Sequence, residues 1–300
     1  MSLWIPIAIA AASFQTVRFM LQKVLSSVTL SSAGATFARF VFSAPLIWAG
    51  LLGYLSISGR AFPALTAEFW IFATIGGTAQ ILATVCVVAL FRQRNFAVGI
   101  TFKKTEVIQT ALVGLVVLGD QINPVGWAAI AIGLCAVLVL SKSPQQTGPW
   151  WRHLSNRASL LGLGSGVLFA FSAVSYRGAS LQLAELEAAF RAGVTLAVVV
   201  SLQTLFMLVW LSLRERGEIA RVWAARRVAV WVGCTSLLGS FCWFWAFTLQ
   251  NAALVKALGQ VELLLSLVAS MLFFKETITA REILGMGLLV LSILVLLWSL

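Results

Sequence analysis

Lys103, Lys104 and Glu106 are three charges within four residues, in the stretch FKKTE, and apolar sequence continues on both sides of them. Ammonium groups and a carboxylate at that spacing can pair with one another, receive an anionic solute, or carry a proton. They have counterparts elsewhere. Lys256 and Glu262 share a second apolar run, and Arg39, Arg177 and Arg191 lie in others. Arg18 has Gln15 and Gln22 on its face at helical spacings of three and four. Gln80 and Thr84 form a polar ridge, and Trp243, Phe244 and Trp245 could wall a cavity. Arg18, Arg39, Lys103, Lys104, Arg177, Arg191 and Lys256 outnumber Glu106, Glu187 and Glu262. A cavity with spare cations favours an anionic or zwitterionic solute, because Arg and Lys compensate a carboxylate or phosphate. The seven cations, with Gln80 and Trp243, are the candidate solute-binding residues. Glu106 and Glu262 are the candidate ion-coupling residues.

Each assignment has a structural alternative. Lys103 and Lys104 snorkel to the nearer interface if their helix begins late. Glu187 with Arg191 reads equally as a structural i,i+4 pair. Arg18 and Arg177 read equally as braces on backbone carbonyls. Asp120 and Glu276 lie in tight turns, where a carboxylate caps the following helix. Most Trp residues serve as interfacial anchors.

The elements that must hold these groups are membrane helices. Of the 300 residues, 60% are hydrophobic and only 10% charged, too few polar residues for a water-facing surface. The apolar residues come in continuous runs of about 20, the length that crosses a hydrocarbon core. They do not alternate, which argues against barrel strands. Ten candidate spans follow: 3–25, 32–56, 66–91, 95–118, 123–141, 158–179, 185–212, 227–250, 252–273 and 279–299. The first begins without a basic leader and is expected to be a span and not a cleaved signal. With helix four starting near Asn95, Glu106 is expected roughly 16 Å in, mid-membrane. A charge facing lipid there costs on the order of 2.5–3.5 kcal/mol, so the three must face protein, water or solute. Cys86, Cys135, Cys234 and Cys242 fall in apolar runs without CxxC spacing, so neither a metal nor a disulfide is expected. The net charge of +11 reflects loop Lys and Arg and does not suggest nucleic acid.

The chain divides into related halves. Asn95, Glu106 and Asp120 are spaced 11 and then 14 residues apart, as are Asn251, Glu262 and Glu276. The offset of 156 also aligns Cys86 with Cys242, Phe91 with Phe247 and Ile122 with Ile278. Ser13 and Arg18 correspond to Ser172 and Arg177. Such an ordered series points to an internal repeat. Residues 1–141 form the first unit, 142–157 a linker and 158–300 the second. Five spans per unit is an odd number, so the second copy inserts upside down. The expected fold is all-α integral membrane, ten transmembrane helices as two inverted five-helix repeats. Inverted repeats place a site at their interface near the midplane and expose it to alternate sides.

The segment GQVELLLSLVASMLFFKETITAREILGMGLLVLSILVLLW (259–298), with Glu262, Glu276 and Gly285, resembles the drug/metabolite transporter superfamily, specifically its ten-helix EamA type. Glu106, Asp120 and Ala129 repeat the layout in the first half. The resemblance covers the whole chain through diffuse motifs and implies an architecture, not a substrate. Where the family often has proline after the glutamate, this chain has Val107 and Leu263, so the kink expected there lacks its usual cause. The superfamily includes sugar-phosphate and nucleotide-sugar carriers and amino-acid exporters, and either kind is compatible with a basic cavity.

The expected activity is secondary transport of a small polar metabolite, an organic anion or a zwitterion such as an amino acid. The alternatives are a multidrug or cation exporter of the same fold, a membrane-embedded enzyme, or a non-transporting scaffold. No GxxxxGK[ST] motif is present, so the drive would be a proton gradient or a counter-substrate. His153, the only histidine, lies in the linker, and no HExxH or GxSxG occurs, so an enzyme is not expected and no cofactor is called for. Expected partners are the solute and membrane lipid, with the chain a monomer or homodimer in a bacterial inner membrane. Basic residues concentrate in loops after odd-numbered helices, including Arg92, Arg94, Lys142, Arg152, Arg157, Arg214, Arg216, Arg221, Arg226, Arg227, Lys275 and Arg281. The positive-inside rule then puts both termini outside the cytoplasm.

Overall fold

The computed structural model of the chain describes residues 2–90, 103–141, 157–265 and 280–298. Every regular element among them is an α-helix. In hydrocarbon each backbone N–H and C=O must be paired within its own segment, which long apolar runs achieve only as helices. The elements are α1 (Trp4–Val28), α2 (Ser32–Val41), α3 (Ala44–Ser58), α4 (Ala67–Leu90), α5 (Glu106–Leu118) and α6 (Pro124–Ser141), then α7 (Arg157–Leu181), α8 (Ala188–Arg214), α9 (Glu218–Ala224), α10 (Arg226–Leu249), α11 (Ala252–Leu258) and α12 (Ala280–Trp298). Among the described residues, six apolar stretches are long enough to cross a membrane: Trp4–Ser26, Ser32–Ser58, Ala67–Leu90, Arg157–Leu181, Ala188–Arg214 and Arg226–Leu249. Glu106–Leu118, Pro124–Val139 and Ile283–Trp298 are apolar but shorter.

Local chemistry sets the boundaries. α3 and α5 end at Gly59 and Gly119, whose φ angles of 66° and 68° lie in the left-handed region that other residues avoid. Pro124 opens α6, where its missing N–H costs nothing. Asn123 caps the same helix by accepting from Gly126 N at 2.7 Å.

Three expected spans differ from continuous helices. The second, 32–56, is α2 and α3 joined by a turn at Phe42 and Ser43. In the fourth, 95–118, residues 95–102 lie outside the described residues, and the chain turns at Lys104 and Thr105 before α5 begins. The ninth, 252–273, turns at Gly259 and Gln260 after α11 and is helical again over 261–265. Asn95, Glu276, His153, most of the 142–157 linker and the basic residues Arg92, Arg94 and Lys275 lie outside the described residues. The loop after α8 carries the short helix α9.

Packing pairs helices across the chain. α1 lies along α10, α4 along α7, and α6 along α12, while α5 packs on α7 and α11 on α5. Small residues permit the close approaches, as in other membrane bundles. A Cβ on Gly76 of α4 would stand 2.8 Å from the Tyr176 ring of α7, and one on Gly133 of α6 would stand 2.8 Å from Ser292 Oγ of α12. The largest apolar core joins residues of α1, α3 to α8 and α10 to α12. A second cluster, including Leu25, Phe37, Phe40, Val88, Leu211 and Val222, gathers where α1 ends and α2 begins.

Candidate solute-binding site

Two helix breaks bring the expected charges together. The turn at Lys104 and Thr105 takes the adjacent lysines off a common helical track. Lys103 Nζ lies 3.7 Å from Glu106 Oε2, while Lys104 Nζ donates to Glu262 Oε1 at 3.1 Å. Glu106 opens α5, where the partial positive charge of a helix N-terminus favours a carboxylate. The turn at Gly259 and Gln260 puts Lys256 before it and Glu262 after it. Lys256 Nζ stands 3.6 Å from Glu106 Oε1, so Glu106 is flanked by two lysines. A side chain at Gly259 would run into the Trp243 ring, which explains a glycine at that turn. Glu262 also accepts from Gln15 Nε2 at 2.7 Å, and Trp243 Nε1 donates to Gln15 Oε1 at 3.2 Å.

Arginines complete the site from α1 and α2. Arg39 is buried, and its Nε donates to Ser236 Oγ at 2.8 Å, its Nη1 to Thr84 Oγ1 at 3.0 Å and its Nη2 to Ser240 Oγ at 3.1 Å. All three partners are neutral hydroxyls. Arg18 is 3% exposed, its guanidinium 4.4 Å from the Phe19 ring centroid, and its Nη1 has no hydrogen-bond partner among the described residues. Gln80 is oriented by Tyr176 Oη at 3.0 Å and Gln203 Nε2 at 2.9 Å. The Lys256 ammonium stands 4.7 Å from the Trp243 ring centroid, within cation–π range. Gln15, Arg18, Arg39, Gln80, Trp243 and Lys256, with Phe169, Ser172, Tyr176, Ser240 and Phe244 among others, enclose a cavity of about 20 Å³. That is room for one water. Three cations, Arg18, Arg39 and Lys256, are among the lining residues, and Lys256 links the cavity to the ion pairs that Lys103 and Lys104 make with Glu106 and Glu262.

Two expected site residues lie elsewhere. Arg177 forms a fork on Asp120, Nε to Oδ2 at 3.1 Å and Nη2 to Oδ1 at 3.4 Å, and its Nη1 donates to the carbonyls of Phe247 and Gln250, both at 2.9 Å. Asp120 is thus an ion-pair partner. Arg191 donates from Nε to the carbonyl of Ser180 at 3.1 Å. Glu187 pairs with Arg60 at 4.0 Å on exposed side chains and not with Arg191, so the expected i,i+4 pair does not form. Arg191 thus adds a side-chain donor at the end of α7, where the Ser180 carbonyl also accepts from Leu183 N at 3.2 Å.

Residues 156–298 match the model of the EamA-like transporter family. Over those residues the chain is similar to that family. A solved crystal structure superposes on 96% of this chain and 98% of its own, with TM-score 0.67 at 16% identity, which shows the fold alone. No curated protein matches the chain. The family and the long apolar helices make it an integral membrane protein, and the family is one of membrane transporters. In the family half, Leu263 replaces the customary proline, and the helix breaks at Gly259 and Gln260 instead.

Sequence reasoning passed over Ser236 and Ser240, the hydroxyls that hold Arg39. They are one helical turn apart on α10, an i,i+4 signal on an apolar helix. Tyr176 and Gln203 were also missed. A buried Tyr or Gln needs a partner, but no spacing within one helix names it.

Proposed function

We propose that this protein is a secondary transporter that moves a small polar organic anion or zwitterion, such as an amino acid, by alternating access between two inverted five-helix repeats, residues 1–141 and 158–300, joined by the linker 142–157. The observation that carries this reading is the charge balance of the central cavity. Among the described residues the charged side chains that line it are all cations, Arg18, Arg39 and Lys256, and the ion pairs beside it add two lysines and two glutamates. Buried charge without a counter-charge is costly, and an anionic group on the solute relieves it. The two-repeat layout is supported by packing: α1, which opens the first half, lies along α10 of the second, and α7, which opens the second, lies along α4 of the first. The helix breaks at Lys104 and Gly259–Gln260 fall at nearly the same place under the offset of 156. Broken helices at a repeat interface are a recurrent construction of transporter sites.

Arg39 and Arg18 receive the anionic group, Lys256, Gln80 and Trp243 contact the rest of the solute, and Lys103 and Lys104 tune the field. Glu106 and Glu262 set the charge that the solute or a coupling ion must match. Arg177 and Arg191 brace helix ends. The cavity of about 20 Å³ is too small for a metabolite, so this conformation is the closed one and the halves separate to admit solute. Exchange against a counter-substrate and proton coupling are both compatible with the site. Basic loops after odd-numbered helices argue for termini outside the cytoplasm of a bacterial inner membrane.

The test is thermal unfolding of detergent-purified protein against organic acids, phosphorylated acids, amino acids and organic cations. A ligand that binds only the folded state raises the melting temperature. Stabilisation by anions or amino acids, lost in Arg39→Ala, is the expected result. Stabilisation by cations alone would overturn the reading.

A further inference from the structure

A groove unrelated to the central cavity opens toward lipid between α3, α8 and α10. Ile47, Gly50, Tyr54, Phe190, Gly193 and Phe241 line it, and its volume is about 290 Å³. Gly50 is exposed, and a Cβ there would meet nothing within 4 Å. The lining is almost entirely apolar, so water has few partners in it. Lining atoms beside an empty space forfeit their dispersion contacts. A lipid tail is as apolar as leucine and fills such a space without competition from water.

The mouth of the groove is charged with both signs. α3 ends at Ser58, and α8 has Glu187 as its N-cap, so Arg60 and Glu187 both sit at helix ends. Their side chains are 48% and 64% exposed and 4.0 Å apart. An exposed pair of that kind is weak and exchanges readily for other partners. The Arg60 guanidinium also lies 6.0 Å from the Tyr54 ring centroid, and Tyr and Arg are common anchors at headgroup level. By a rise of about 1.5 Å per residue, Ile47 lies roughly 16 Å below the end of α3. That is about half of a hydrocarbon core roughly 30 Å thick, the depth of one leaflet.

We propose that this groove is a phospholipid site. One acyl chain lies between α3, α8 and α10, and a zwitterionic headgroup sets its phosphate on Arg60 and its ammonium on Glu187. The paired charges select a zwitterionic over an anionic headgroup, because an anionic one would leave Glu187 repelled and uncompensated.

Delipidated full-length protein in mild detergent is titrated with phosphatidylethanolamine or phosphatidylglycerol, and lipid-bound species are counted by native mass spectrometry. The expected result is one phosphatidylethanolamine bound more tightly than any phosphatidylglycerol. Gly50→Phe, which fills the groove, abolishes that binding. Arg60→Ala weakens it about fivefold, the effect of one basic residue near a lipid headgroup. Leu213→Ala, exposed at the end of α8, leaves it unchanged. Equal binding of both lipids, or binding retained in Gly50→Phe, overturns the proposal. So does a dimer that Gly50→Phe dissociates, since a second copy would then occupy the groove. If Gly50→Phe does not fold, the exposed variants Arg60→Ala and Glu187→Ala decide, and unchanged phosphatidylethanolamine affinity in both overturns it.

Discussion

Arg39 is held by Ser236, Thr84 and Ser240 and, among the described residues, by no carboxylate. Under the proposed function its charge is available to a solute while its geometry is already set. Hydrogen bonds to a charged group contribute about 1.5–3 kcal/mol, so Arg39→Ala is expected to weaken anion binding by roughly 10- to 100-fold. Isothermal titration with the best-stabilising anion measures this, and an unchanged Kd would remove Arg39 from the site. Lys104 and Glu262 make a direct ion pair at 3.1 Å. Breaking one side of a buried pair strands the other charge, at a cost of about 3–5 kcal/mol. Lys104→Met and Glu262→Gln are each expected to lower the melting temperature, and the double variant less than the two effects added. Additive losses would mean the pair is uncoupled. The residue types were readable beforehand, because a charge in an apolar run demands an explanation. Their partners were not. Glu187 and Arg191 have ideal i,i+4 spacing, yet Glu187 points to Arg60 and Arg191 to the end of α7.

At the scale of elements, the start of α2 is closed by the loop that follows α8. Ser31 N donates to Glu218 Oε1 at 2.6 Å, Ser31 Oγ donates to Glu215, and Gly34 N donates back to Ser31 Oγ at 2.9 Å. Glu218 is fully buried and pairs with Arg221. A carboxylate is well placed at a helix N-terminus, whose free N–H groups it satisfies. A Cβ on Gly34 would occupy the space of the Glu218 carboxylate. Gly34→Ala is thus expected to expel Glu218 and destabilise the protein by about 1–3 kcal/mol, the cost of a buried polar group left unpaired. Glu218→Ala should cost a similar amount, and the double variant less than their sum. Thermal melts of the three check this, and a neutral Gly34→Ala would mean that the loop is not docked in solution. Hydropathy located the helices well, because an apolar run in lipid has no other regular solution. It missed the breaks at Lys104, Gly259 and Phe42, because apolar sequence resumes on both sides and a few polar residues do not by themselves end a membrane helix. Nor did the basic loop announce α9, whose helix is set by docking against α2.

For the whole molecule, Arg177 is the clearest tie between the halves. It holds Asp120 of the first half to carbonyls at the end of α10 in the second. Arg177→Ala should release that side and bias the protein toward an open state. With the native cysteines replaced, a cysteine at Ser240 of the cavity wall is expected to react severalfold faster with a membrane-impermeant thiol reagent in the Arg177→Ala background. Equal labelling rates would show that the brace does not control access. Sequence alone was enough to determine that this is an integral membrane helical protein, that its apolar runs carry more basic than acidic groups, and that Glu106 and Glu262 recur in one spacing pattern. These follow from composition and spacing, which act along one chain. Only the tertiary structure decided that Arg39 rests on hydroxyls, that Arg177 and Arg191 serve helix ends, and that Lys256 meets Glu106 while Lys104 meets Glu262. Those pairings join residues 158 and 150 positions apart. A buried charge takes whatever partner the packing of other helices brings within reach, and no periodicity within a single helix records that choice.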